Sequence, residues 1–276
     1  MLDWLVSIYF AKDNDLNKPP MKKTLLALIL ACGALSVQAQ DAMRIGAKGA
    51  FNSTWLFNNN VSDVGPSLDY ASSFGGSFGA QFIYNWSESY GINVELLYAG
   101  QNQKYDLNLG TEKDPLNFVV EDNIKYLDIP VLFRMSSPKG PYFEIGPQAS
   151  LLMGAKESFT GETASAADYS DRDFKSDFKG FGVSGILGFG VDIKLSDNLF
   201  LNTGLRFGYM FTDATTEYTE NELAAKSSTN PSGVSLNAGF NHYSTEVDKN
   251  KNPIFDYQKS NRVFGGLNIG IQYQIK

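Results

Sequence analysis

From residue 43 onward the chain alternates. Phe74, Gly76, Phe78, Ala80, Phe82, Tyr84 and Trp86 share one parity, and Gly75, Ser77, Gly79, Gln81, Ile83 and Asn85 share the other. The segment 181–194 behaves alike, with Phe181, Val183, Gly185, Leu187, Phe189, Val191 and Ile193 opposed to Gly182, Ser184, Ile186, Gly188, Gly190, Asp192 and Lys194. Val263 to Ile275 repeats the pattern, with Phe264, Gly266, Asn268, Gly270, Gln272 and Gln274 on the smaller or more polar parity. Period-two alternation of this kind marks strands whose two sides meet different surroundings. In a membrane barrel the apolar side meets lipid and the other side lines the lumen.

Five further segments, at 43–57, 90–99, 124–135, 141–154 and 199–212, alternate similarly. The total is eight, an even number, as a closed single-chain barrel requires. Closure matters because lipid offers no hydrogen bonds to an open sheet edge. No run of 18 uncharged apolar residues follows residue 40, so a spanning helix is not expected there. The connections alternate in length. Asn58–Ser73, Gly100–Asn123, Ala155–Gly180 and Asp213–Asn261 are long, and Ser87–Ser89, Ser136–Gly140 and Ser196–Asn198 are short. Long extracellular loops and tight periplasmic turns produce that rhythm in an up-and-down barrel with both termini in the periplasm. Aromatic residues gather near strand ends. Trp86, Tyr90, Phe133, Phe143 and Tyr273 are expected at the periplasmic interface, and Trp55, Phe57, Tyr98, Phe181, Tyr209 and Phe211 at the outer one.

The N-terminus agrees with export. Met21 to Ala39 reads as a signal peptide: Lys22 and Lys23 form a charged start, Thr24 to Leu35 an apolar stretch, and Val37 and Ala39 the small residues before a cleavage site. The expected domains are therefore residues 1–20, an upstream extension left by a start assigned too early, residues 21–39, the signal peptide, and residues 40–276, the outer-membrane barrel. Cys32, the lone cysteine, lies within the apolar stretch, so the exported chain would contain none.

Composition adds little against this picture. Aromatic residues are 13% of the chain and glycines number 26, both suited to a barrel with aromatic girdles. Without residues 1–39 the chain has 19 basic and 27 acidic residues, which argues against a nucleic-acid partner. The implied location is the outer membrane of a Gram-negative-type cell. The implied partners are outer-membrane lipid and the machinery that assembles barrels.

Two segments carry a family resemblance. Tyr126-Leu127-Asp128-Ile129-Pro130-Val131-Leu132-Phe133 and Gly140-Pro141-Tyr142-Phe143-Glu144-Ile145-Gly146-Pro147 resemble successive strands of the PorT-like outer-membrane barrels of Bacteroidota. The resemblance extends to the strand layout of the whole exported chain. It implies a structural or accessory role, with a secretion or surface partner reached through the extracellular loops.

Several residues could in principle carry chemistry. Lys48, Glu95, Asp128, Arg134, Glu144, Asp192 and Arg206 fall on inward parities. They read either as a selectivity lining or as mutually neutralising core ion pairs. An eight-stranded barrel has an interior that side chains just fill, which favours pairing. Tyr126, Leu132, Tyr142, Gln148, Phe200, Met210 and Phe264 share the inward parity and are expected to plug it. His242, the lone histidine, stands in Asn241-His242-Tyr243-Ser244, a spacing reminiscent of the His/Ser pair of lipid A deacylases. A solvated loop histidine is the plainer expectation. Asp168, Asp171, Asp173 and Asp177 form an oxygen-rich stretch, interrupted by Arg172 and Lys175, that matches no EF-hand loop and is expected to be a solvated acidic loop. Val234 to Tyr243 alternates weakly and is expected to form a hairpin above the membrane. The chain is thus expected to hold no cofactor, metal or catalytic residues, and to be a non-enzymatic barrel, with a small-solute channel and a lipid A-modifying enzyme as the competing readings.

The processing expectation is directly measurable. N-terminal mass spectrometry of outer-membrane material should find Gln40 first; an intact segment 1–20 or an acylated Cys32 would contradict it.

Overall fold

In the computed structural model, residues 43–108, 117–161, 168–229 and 234–275 are described. The upstream extension, the signal peptide and Cys32 lie outside the described residues. Among these, the strands are β1 (Met43–Phe57), β2 (Leu68–Ala71), β3 (Phe74–Asn85), β4 (Tyr90–Asn108), β5 (Asn117–Ser136), β6 (Pro141–Gly161), β7 (Tyr169–Asp173), β8 (Phe181–Lys194), β9 (Leu199–Met210), β10 (Tyr243–Val247), β11 (Pro253–Phe255) and β12 (Asn261–Ile275). Three short helices accompany them: α1 (Asn59–Val64), α2 (Glu220–Thr229) and α3 (Leu236–Phe240).

The strand pairing closes on itself. β1 pairs with β3, and the ring continues through β4, β5, β6, β8, β9 and β12 back to β1, every pair antiparallel. The result is an eight-stranded up-and-down barrel, as the alternation predicts. β2 and β7 add to the upper ends of β4 and β6, and β10 and β11 form a separate hairpin. Closure leaves no ring strand with a free edge in the apolar layer, the condition lipid imposes on a spanning sheet.

The two sides follow the predicted parities. Phe51, Phe78, Phe189 and Leu267 point outward and are exposed, while Gln81, Asn93, Ser184 and Gln272 point inward and are buried. Exposure of such large apolar side chains is stable only where lipid covers them. The two aromatic girdles assemble at the strand ends. Trp86 and Tyr90 pack on Phe133 at 6.0 and 5.9 Å on the periplasmic side. Trp55–Phe57 and Tyr209–Phe211 pack at 6.1 and 5.6 Å on the outer side. The short turns need little sequence. In the one after β5, Gly140 has φ +107°, and a Cβ there would lie 2.6 Å from the Asp192 carbonyl oxygen. Glycine meets both demands at once.

The structure departs from the expected boundaries at the extracellular end. β4, β5 and β6 run well past the apolar band, so the connections expected at 100–123 and 155–180 are partly strand. On β4 the outward series changes from Leu96 and Tyr98 to Asn102, Lys104 and Asp106. On β5 it changes from Leu127 to Lys125, Asn123 and Glu121. A strand that leaves lipid keeps its ladder hydrogen bonds but exchanges an apolar outer face for a polar one, and a search for apolar alternation stops there. The hairpin expected at Val234–Tyr243 is instead helix α3, capped by Ser235, whose hydroxyl accepts from the Ala238 amide at 3.1 Å. The hairpin follows it, as β10 and β11.

Leu187 points to lipid near the middle of β8. Leu187→Arg should cost about 2–4 kcal/mol of folding free energy, read as a shift in the denaturant titration of the barrel in vesicles, with Leu187→Ala costing much less. Equal costs would place that face away from lipid.

Candidate functional site

The lumen is filled by a continuous charge network on the periplasmic side. Asp192 on β8 accepts from Arg44 at 2.8 Å and from Arg134 at 2.6 Å. Arg134 also donates to Glu144 at 2.7 Å, and Arg206 donates to both Glu144, at 3.1 Å, and Glu95. Lys48 completes the series on Glu95 at 2.9 Å. The Asn93 amide bridges Glu95 and Glu144 at 2.7 and 2.8 Å. Every member belongs to an inward parity of a different strand or strand level, so the barrel brings together residues that are up to 162 positions apart, from Arg44 to Arg206.

The next layer is apolar, built from Leu132, Ile186 and Phe264. Beside it Arg262 grips Asp128 through two bonds of 2.9 Å, donates to Gln101 at 3.1 Å, and lies over the rings of Tyr126 and Phe264. Leu56, Ile124, Tyr126, Leu152, Phe178 and Met210 close the outer mouth. Between Lys48, Asn52, Asp128, Arg206 and Arg262 lies a cavity of about 20 Å³, roughly enough for one water. Six of the bulky plug residues are buried as expected: Tyr126, Leu132, Tyr142, Gln148, Met210 and Phe264. Phe200 stands at the periplasmic mouth, half-buried beneath the Arg44 guanidinium at 3.9 Å.

All seven inward charges read from the sequence are thus brought into ion pairs. Arg44 and Arg262 join them, and Arg262 escapes a reading that starts the last strand at residue 263. Arg44 shares the parity of Lys48 on β1, so its role was available from the alternation. The two family-like segments acquire a physical meaning here. Each supplies an aromatic ring and a carboxylate two residues apart that together hold one arginine. Tyr126 and Asp128 hold Arg262, while Tyr142 and Glu144 hold Arg134, whose guanidinium lies 3.8 Å from the Tyr142 ring. Gly190 and Gly204, paired across β8 and β9, make the room; a Cβ on either would come within 2.5 or 2.8 Å of the Tyr142 hydroxyl.

Above the plug the loops fold into an ordered cap. Asn58 caps α1, accepting from the Asn60 amide at 2.9 Å, and donates to the Gln258 carbonyl at 2.6 Å, tying the first loop to the fourth. Asp213 accepts from Tyr257, Lys179 and the amides of Thr215 and Ser260. Burial opposes its ionisation, but those bonds outweigh it and hold the carboxyl below the ordinary range. An open cleft of about 650 Å³ crosses the cap, with Val64, Leu223, Leu236, Phe240, Tyr243 and Pro253 in its walls.

His242 is not the solvated loop histidine expected. It is fully buried, between the rings of Tyr218, Phe255 and Tyr257. Nε2 accepts from the Tyr218 amide at 2.8 Å and Nδ1 lies 2.6 Å from the Ala238 carbonyl. Both nitrogens are committed to backbone, so neither is free to act on Ser244. The four aspartates of the third loop also separate. Asp168 caps the Gly161 amide and Asp173 the Lys175 amide. Asp177 is not solvated but fully buried, holding Tyr218, Lys226 and the Ser235 amide at 2.8, 3.1 and 2.7 Å. Among the described residues no three acidic, histidine or cysteine side chains converge on one point.

The plug predicts its own weak link. Arg206→Met removes the donor shared by Glu95 and Glu144 and should destabilise the barrel by about 3–5 kcal/mol, seen as lost heat resistance of the folded band on a gel. Unchanged heat resistance would mean that the pair does not hold the lumen together.

Among solved structures, the chain is similar to neisserial surface protein A, with 11% identity and a TM-score of 0.36, over 86% of this chain and all of that one. It is also similar to Ail of Yersinia pestis, with 8% identity and a TM-score of 0.33, over 84% of this chain and 99% of that one. OprG from Pseudomonas aeruginosa gives 15% identity and a TM-score of 0.32, over 85% of this chain and 95% of that one. No curated protein matches the sequence. The family model of the outer membrane protein beta-barrel domain matches residues 38–215. With that match over more than half its length and a closed eight-stranded ring to carry it, this chain belongs to the outer membrane beta-barrel domain family and is a protein of the outer membrane.

Proposed function

We propose that this chain is a non-enzymatic outer-membrane protein that works through its extracellular cap, as a binding or accessory component. The observation that carries the reading is the contrast between the two halves of the barrel. The lumen is filled by paired charges and apolar layers around a cavity of about 20 Å³, while the cap carries an apolar-walled cleft of about 650 Å³, a size suited to a ligand or a partner's side chains. The Tyr-x-Asp and Tyr-x-Glu sockets lie in the two segments that resemble PorT-like barrels, which favours an accessory role beside a secretion machine. The commitment of both His242 nitrogens to backbone weighs against the lipid A-modifying alternative.

The channel alternative makes the opposite demand on the lumen. Planar-bilayer recording of the purified, folded chain should give no stable conductance steps. Large, weakly selective steps would replace the cap-centred reading with a pore.

A further inference from the structure

The barrel rim beneath the cap contains two buried carboxylates that form no ion pair with a cation among the described residues. Asp122 stands on the upper end of β5 and Glu157 on the upper end of β6, 2% and 1% exposed. They lie on adjacent paired strands, in directly opposed positions. Both are above the apolar band. Period-two parity read from Tyr142 and Glu144 would send Glu157 outward. A β-bulge reverses it: Lys125 pairs with Gly154 and Tyr126 with Leu152, leaving Met153 as the extra residue. Beyond it Ala155 and Glu157 turn inward. A bulge that re-aims a side chain is a deliberate feature of a sheet, and here it sets one carboxylate against another.

The cap fastens onto this pair. The Leu236 and Asn237 amides at the start of α3 donate to Glu157 at 3.0 and 3.3 Å. The Asn237 side chain donates to Asp122 at 2.8 Å and to the Tyr105 hydroxyl at 2.7 Å. Tyr169 on β7 donates to Glu157. All these donors are accounted for, yet Asp122 Oδ1 is buried with no donor to accept from. Two adjacent ionised carboxylates with an unserved oxygen are costly in a buried site. One proton between them removes a charge and supplies the missing hydrogen bond.

We propose that Asp122 and Glu157 hold a single shared proton, and that this protonated pair is the clasp that fastens the fourth loop's cap to the barrel rim. Its consequence is a cap sensitive to external alkalinity. Among the described residues, the surroundings offer no substitute for the proton. Tyr105 faces it from β4, with the Tyr70 ring of β2 packed on Tyr105 at 5.5 Å, and Tyr169 faces it from β7, with the Arg172 guanidinium stacked on the Tyr169 ring at 4.1 Å. Asp177 adds a further negative charge, itself engaged by Lys226 from α2. Lys156, beside Glu157 in sequence, points outward and is exposed. Burial first, and then the Glu157 charge, push the Asp122 carboxyl well above the usual range; burial also raises Glu157. The sign follows. A carboxyl whose pKa is raised in the closed form binds its proton more tightly there, so its stabilisation is complete below the ordinary carboxylate pKa and is lost as pH rises toward the raised one. For one proton, opening of the cap increases by up to about tenfold per pH unit across that window. The inference holds whether or not the cap binds a partner.

Asp122→Asn tests it, because an asparagine keeps a donor toward Glu157 and cannot ionise. Hydrogen exchange of residues 235–242 in the folded, membrane-embedded chain is compared between wild type and variant at each pH, which cancels the intrinsic pH dependence of exchange. Wild-type protection should fall as the medium turns alkaline while the variant's does not, with the barrel strands unchanged in both. Infrared spectra of the wild type should show a protonated carboxyl band at neutral pH that disappears over the same pH range. Parallel protection curves, or a variant cap that is loose at every pH, would overturn the clasp. Should Asp122→Asn fail to assemble, the infrared titration of the wild type decides alone, and a spectrum with no protonated carboxyl at neutral pH overturns it.

Discussion

A charge that points into a barrel of eight strands has almost no water to turn to. It must find an opposite charge on another wall, and the opposite charge must find further donors or acceptors for its remaining atoms. The interior of this chain pairs its charges as a chain of shared groups, with Arg44 Nε and Arg206 Nε buried and without an acceptor. Arg134 joins two carboxylates and Arg206 joins two, so that removing either takes a cationic donor from two carboxylates at once. The narrow glycine-lined wall where Gly190 faces Gly204 exists to admit the Tyr142 ring that lies against Arg134. Packing and electrostatics are therefore one arrangement, and the closed lumen is its product.

The cap depends on that arrangement. Because the plug ends in an apolar layer of Leu56, Ile124, Phe178 and Met210, the loops have a dry floor to fold on. A second cluster, Val61, Leu68, Tyr105 and Val120, forms above the rim with Phe159, Leu236 and Phe240 packed against it. Polar side chains then fix the loops in place: Asn58, Asp177, Asp213 and His242 each satisfy backbone amides or carbonyls of segments that have no regular structure of their own, and the Asn237 side chain ties α3 to Asp122 on the rim. The described loop residues hold their places because their backbone polar groups are met in this way.

The barrel was legible because lipid enforces a strict alternation, and the seven charges on inward parity were legible with it. What alternation could not show is what escapes that rule. β4 to β6 outside the membrane lose the apolar outer face that reveals a strand. The bulge at Met153 changes parity without any unusual residue to announce it. Arg262 falls one position before the point where apolar alternation begins. In the cap, Ser235 and Asn58 are ordinary helix-capping residues, but which of many Ser and Asn residues would act as caps is settled by tertiary packing. His242 shows the limit most plainly: its neighbours in sequence place it in a polar loop, and its neighbours in space are three aromatic rings and two backbone groups.

The lumen is sealed by its own paired side chains, and water access to it is measurable. Ala99 lines the small residual cavity and is 3% exposed. Residues 40–276 contain no cysteine, so Ala99→Cys introduces a single thiol with a minor change in volume. Its rate of reaction with a small water-soluble thiol reagent, in the folded membrane-embedded chain and in the denatured chain, measures whether water reaches the lumen. A sealed barrel predicts no reaction until the chain is unfolded. Rapid labelling of the folded form from either side of the membrane would contradict it.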